Sequence, residues 1–199
     1  MKDSAQPKNT RDAILDATDL LLERSGYKKM TIDDLAREVG IGKGSIYLHF
    51  PSKEEIALSH IDRIIDGLKD KLHKVGDESL EPPEKLRKML TTRVLHRFDS
   101  IQHYSQSLNE MLGYLRPKLL ERRRRHFEDE AKILAKVIAD GQTANDFNAG
   151  DPLDVARTLV TATNSLLPFS LSAFELGDRK VLQKTTRKLV DLLIRGLRA

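Results

Sequence analysis

The chain of 199 residues contains no cysteine. That excludes a disulfide framework, a thiolate metal site and a cysteine nucleophile. Long apolar runs are missing as well, and no stretch approaches the roughly 20 residues that would span a bilayer. The opening MKDSAQPKNT lacks an apolar segment and does not read as a secretory signal. No zinc-protease motif and no phosphate-binding loop are present. His96 and His103 are seven residues apart, wider than the spacing metal sites favour, and no ligating cluster accompanies them. Neither a metal, a cofactor nor a catalytic residue is therefore expected. An excess of charge where it would matter is lacking too. The formal net charge is +4 and the pI about 9.2, but basic and acidic residues nearly balance over the first sixty positions. The surplus lies from Arg116 to Lys136 and from Arg179 to Arg198.

What is present has a helical period almost throughout, and no segment alternates convincingly as a strand. With 39% hydrophobic and 32% charged residues, this is an ordinary globular composition. Residues 1–9 read as a flexible polar arm. Ala13, Ile14, Ala17, Leu21 and Leu22 mark a first helix from Thr10, closed by Gly26. A long helix follows Pro51, with Ser52 and Glu55 as a capping pair and an apolar ridge from Ile56 to Val75. Downstream, a helix is expected after Pro82 and Pro83, reaching about Ile101, and a shorter helix or irregular turn over roughly 105–112. Gly113 is read as a break, and further helices as running from Pro117 to Gly141, from Pro152 to about Leu176, and from 179 to the end. The chain thus reads as all-α with about nine helices. Pro168 falls inside the eighth of these and is expected to kink it.

The densest signal is Thr31 to Phe50, TIDDLAREVGIGKGSIYLHF. Thr31 and Asp34 form a capping box, and Ile32, Leu35, Ala36 and Val39 share one helical face. Gly40 sits where a left-handed residue would end that helix. In the second helix Ile46 and Phe50 face inward, while Lys43, Gly44, Ser45, Tyr47 and His49 open outward. A helix anchored on one side and lined with donors on the other suits the major groove of DNA, which is the helix-turn-helix arrangement.

The run GIGKGSIYLHF followed by PSKEE, with TRDAILDATDLLLERSGY upstream, resembles the DNA-binding region of the TetR family of transcriptional repressors. The resemblance covers about the first quarter of the chain. One position departs from it, since Gly42 stands where the family usually has Ser or Thr at the start of the recognition helix. The resemblance implies a three-helix DNA-binding domain over residues 10–55 and a helical effector-binding and dimerisation domain over 56–199. It also implies a cytoplasmic, non-enzymatic homodimer. Its partners would be double-stranded operator DNA, a second copy of itself and a small-molecule effector, with no membrane. Thr31, Gly42, Lys43, Gly44, Ser45, Tyr47, His49 and Lys53 are the expected DNA contacts. Lys43 and Ser45 are assigned to base edges, and Thr31, Tyr47, His49 and Lys53 to phosphates.

Polar residues on otherwise apolar helices, Arg93, Arg97, Tyr104, Asn109, Tyr114 and Asn164, are the expected effector contacts. Apolar surface in the last two helices exceeds what one intrachain contact would cover. It marks Leu159, Leu166, Leu167, Phe174, Leu182, Leu189, Leu192 and Leu193 as the expected dimer interface. The run RRRR at 122–125 cannot face one partner on a helix and reads as a solvated surface, with an inward turn of Arg122 or Arg125 as the other reading. An activator, or a DNA-binding protein without an effector, remains the alternative to a ligand-responsive repressor.

Overall fold

The computed structural model describes residues 9–101, 105–167 and 177–198, with the side chains of 101, 105–109 and 112 outside the description. These residues form eight α-helices: α1 (Thr10–Lys29), α2 (Ile32–Val39), α3 (Lys43–His49), α4 (Lys53–Gly76), α5 (Pro82–Ile101), α6 (Ser105–Thr143), α7 (Pro152–Thr163) and α8 (Arg179–Leu197). No helix among them is long and apolar enough to cross a membrane.

The chain divides into two compact units. Among the described residues, one holds 9–63 and 105–119, and the other holds 64–101, 120–167 and 177–198. In the first unit α1 packs on α2 and α2 on α3. Its core is built from Ile14, Leu22, Met30, Leu35, Ile46 and Phe50, all essentially inaccessible. Asn9 caps α1 through a hydrogen bond from the Arg11 amide. Gly26 interrupts the helix at φ 80° and ψ 164°, a conformation that favours glycine, and this turn delivers Tyr27 and Met30 to the core. In the second unit α5 packs on α7 and α8, and α7 on α8. Leu68, Leu72, Met89, Leu134, Ile138 and Val190 fill the space between its helices.

Two of the expected helices are one. A break at Gly113 and a start at Pro117 do not occur, because α6 runs through both for 39 residues. Met111, Leu115 and Leu119 recur at four-residue spacing and are all buried, so packing carries the helix across two weak formers. Proline crowds the carbonyl four residues back, and that residue is Gly113, which has open space around it.

The helix from Pro152 also ends differently. α7 stops at Thr163 and tightens into a 3-10 turn over Asn164–Leu166. Leu167 is then extended at φ −92° and ψ 146°. A residue preceding proline is driven out of the helical region, so the helix terminates where a kink was expected. Pro168 itself lies outside the described residues.

Candidate nucleic-acid interface and a buried arginine cluster

Local hydrogen bonds set the geometry around α3. The Thr31 hydroxyl accepts from the Asp34 amide at 3.1 Å, while the Asp34 carboxylate accepts from the Thr31 amide at 3.2 Å and hydroxyl at 2.6 Å. The hydroxyl bond from Thr31 is the main cause holding the Asp34 carboxyl below its ordinary range. Gly40 ends α2 in the left-handed conformation at φ 77°, and the amides of Gly40 and Ile41 both donate to the Ala36 carbonyl at 3.0 Å. Gly42 then caps α3 with no side-chain hydrogen bond.

Ile46 on α3 and Phe50 just past its end are fully buried. Arg11 braces the far end by stacking on Phe50 at 4.3 Å and donating to the His49 carbonyl at 3.3 Å. The outward face carries Lys43, Gly44, Tyr47, Leu48 and His49, all exposed, with Ser45 half-buried. Lys43 pairs with Asp33 at 3.1 Å, both side chains facing solvent, a pair weak enough to be exchanged for another anion.

Lys53 is held differently. It lies 4.5 Å from the centre of the Tyr27 ring and donates to the Lys28 carbonyl at 3.3 Å. Burial pushes its ammonium below the ordinary lysine range, against the opposing pull of Glu110 and Glu54. Burial likewise pushes the Tyr27 hydroxyl up to about 12, so it remains a neutral platform.

Leu48 was not among the expected contacts, yet it is 85% exposed. Helical geometry could have located it: Leu48 lies about 200° around the helix from Ile46, opposite the anchors.

Of the expected effector residues, three converge in the second unit. Arg93, on α5, donates through Nε to Glu130 Oε2 at 2.6 Å, through Nη1 to Thr163 Oγ1 at 2.8 Å and through Nη2 to Asn164 Oδ1 at 2.5 Å. Arg97, one turn on, donates to both Glu130 oxygens. Arg93, Arg97, Glu130 and Thr163 are essentially inaccessible. Burial lowers the Arg93 guanidinium to about 10, with Glu130 opposing and Arg97 reinforcing, so it stays charged at neutral pH. Burial alone would raise the Glu130 carboxyl, but Arg97 and Arg93 together hold it below its usual range. Sequence reasoning missed Glu130 and Thr163, which stand 37 and 70 residues from Arg93.

Tyr114 belongs to the other unit, where it is exposed and lies 6.2 Å from Tyr27, centre to centre. Tyr104 and the side chain of Asn109 lie outside the described residues. A separate open groove of about 520 Å³ between α5 and α8 is lined by Leu80, Glu84, Arg87, Thr91, Arg187 and Asp191, and holds none of the expected effector residues.

Within the run 122–125, Arg123 turns inward, 4.8 Å from the Phe127 ring centre; Arg122 is also half-buried, while Arg125 is exposed. Among the expected dimer residues, Leu159, Leu167 and Leu182 are buried in the chain's own core, and Leu166, Leu189 and Leu193 are half-buried. Leu192 is 64% exposed, and Phe174 lies outside the described residues. Val181, which sequence reasoning passed over as an interface residue, is also exposed.

Comparison with known proteins places these features in context. The family profile described as bacterial regulatory proteins, tetR family, matches residues 14–59. The profile described as tetracyclin repressor-like, C-terminal domain, matches residues 82–187. The HTH-type transcriptional repressor KstR2 of Mycolicibacterium smegmatis is 23% identical over 162 residues, 80% of this chain and 78% of its own. For several other curated relatives the chain matches less than half of their length. Among solved structures, a transcriptional regulator from Cytophaga hutchinsonii aligns with a TM-score of 0.77 and 22% identity, covering 94% of this chain and 98% of that one. FadR from Bacillus subtilis, solved in complex with stearoyl-CoA, aligns with a TM-score of 0.68 and 17% identity over 94% and 98% of the two chains.

Proposed function

Since the chain belongs to the TetR family of DNA-binding transcriptional regulators, which dimerise and are not enzymes, we propose that it is a repressor. In this reading it binds a palindromic operator as a dimer and is released by a small-molecule effector. One observation carries the DNA half: α3 is pinned by the buried Ile46 and Phe50 while Lys43, Tyr47 and Leu48 are exposed to solvent, Leu48 on the side opposite the anchors. Lys43 and Ser45 read base edges, and Leu48 offers an apolar contact to a thymine methyl or sugar. Thr31, Tyr47, His49 and Lys53 set register on phosphates. Residues 10–55 act as the reading domain and 56–199 as the effector and dimerisation domain.

Two chains place two such helices on a two-fold axis, which is what a pseudo-palindrome requires. The exposed Val181 and Leu192, eleven residues apart and so about three turns along one face of α8, supply apolar surface for that pairing, with Leu189 and Leu193 beside them. Leu159, Leu167 and Leu182 support the interface from beneath. For the effector half, the supporting observations are the buried polar cluster of Arg93, Arg97 and Asn164 and a neighbour of the same fold that holds stearoyl-CoA. The helices α4 and α6 each contribute residues to both units, which supports α4 as the lever between them.

Selection of bound fragments from a random DNA pool, with purified protein at stated salt, tests this reading. A two-fold symmetric site should be enriched. A folded dimer that enriches no palindrome would refute the operator assignment.

A further inference from the structure

The cluster around Phe127 has too many cations for its one carboxylate. The guanidinium groups of Arg93, Arg97 and Arg123 lie 5.1, 5.7 and 4.8 Å from the Phe127 ring centre. Among the described residues, only Glu130 answers them with a carboxylate. The neighbouring acids are committed elsewhere: Asp99 to Arg179, Glu128 to Arg157 and Asp129 to Lys69. Three positive charges against one negative leave a surplus in a place where uncompensated charge is expensive. Burial and the nearby Arg97 lower the Arg123 guanidinium in turn, so the groups repel one another in the protein as it stands.

Nor is the cluster sealed. Arg93, Arg97 and Glu130 form a floor that solvent barely touches, whereas Arg123, Phe127, Asn164 and Leu166 are half-exposed at the rim. Phe127 and Leu166 also pack against an apolar cluster containing Val94, Phe98 and Leu167. A charged head could therefore meet the guanidinium groups while an apolar tail lay along Phe127 and Leu166.

We propose that Arg93, Arg97 and Arg123 form the receptor for the anionic head, a carboxylate or phosphate ester, of an amphipathic effector. This rests on the ligand-responsive reading above and names the chemistry of its ligand. Planar guanidinium forks suit both head groups, which accept paired hydrogen bonds. The bound anion would compete with Asn164 for Arg93 Nη2, which ties occupancy to the end of α7.

Calorimetric titration of the free full-length protein tests the proposal with decanoate, decyl phosphate and inorganic phosphate, against decanol as the uncharged control. Saturable binding of the alkyl anions is expected, and comparison of the three identifies which head group is preferred and whether the tail is needed. Arg123→Gln, at the accessible rim, should weaken the anions about tenfold or more and leave decanol unchanged. Arg123→Lys should restore part of the affinity. Glu130→Gln, which raises the surplus, should tighten anion binding where a purely structural ion pair would only lose stability. No anion binding, or equal binding by wild type and Arg123→Gln, would overturn the proposal even if Glu130→Gln failed to fold. Operator release separates the two readings. Anions that bind without releasing DNA keep the site and remove the repressor's sensor role. Release by decanol alone keeps the sensor and removes the anion receptor.

Discussion

Leu48 shows how much a single side chain on α3 can reveal. Burying a leucine is worth about 1.5–3 kcal/mol, yet this one is left 85% exposed beside two anchors that are wholly buried. Leu48→Ala should therefore leave the urea unfolding midpoint nearly unchanged. It should weaken operator binding by about 1–2 kcal/mol, roughly five- to thirtyfold, as a fluorescence titration would show. Gly42 is the second informative position. A Cβ added there meets nothing within 4 Å, and its backbone already has the cap conformation. Gly42→Ser should add a hydrogen bond to the first turn of α3 and raise stability by a few tenths of a kcal/mol, measured by denaturant unfolding. A fall in stability would show that the hydroxyl cannot reach the turn.

At the scale of elements, the short segments were the most legible. The capping box of Thr31 and Asp34, the left-handed Gly40 and the inward pair Ile46 and Phe50 depend on neighbours within four residues, so the pattern alone locates them. α6 was harder, because Gly113 and Pro117 are local stop signals overridden by the buried ridge of Met111, Leu115 and Leu119. The end of α7 was written in Leu167-Pro168 but read as a kink. Nothing local connects Arg93 to Glu130 and Thr163, since those bonds join α5 to α6 and α7. Arg93→Ala removes three side-chain hydrogen bonds and half of the positive charge bonded to Glu130. It should cost about 3–5 kcal/mol in denaturant unfolding.

His96 gives α4 and α5 a pH dependence. Its Nε2 donates to the Ile64 carbonyl at 3.0 Å, so Nδ1 is the acceptor facing Lys71 Nζ at 2.9 Å. Burial chiefly lowers its pKa; the bond to Ile64 opposes this and Lys71 adds to it. The unfolded chain thus takes up this proton first, and the contribution is complete above about pH 6.5 and declines as pH falls below that. His96→Gln should flatten the stability profile below pH 6.5 relative to wild type in urea titrations at several pH values. An unchanged slope would remove His96 from the linkage.

For the molecule as a whole, net charge is no guide to the proposed DNA-reading face. The positive surplus lies in the C-terminal half, while α3, the proposed reading helix, sits in a nearly balanced region, so the proposal rests on the placement of a few side chains. The family and its all-α architecture were legible because a long local motif identifies them. The dimer surface was not, because an apolar helix does not declare which of its leucines face its own core and which face a partner. Leu182 and Leu192 lie on one helix with opposite fates. The central claim, that the solvent face of α3 reads the operator, is tested most directly by one titration. A Lys43→Ala, Tyr47→Ala, Leu48→Ala variant is compared with wild type on the selected duplex at about 0.15 M salt. The expected result is a loss of at least about a hundredfold in affinity with an unchanged unfolding midpoint. Wild-type affinity in a folded triple variant would contradict the assignment.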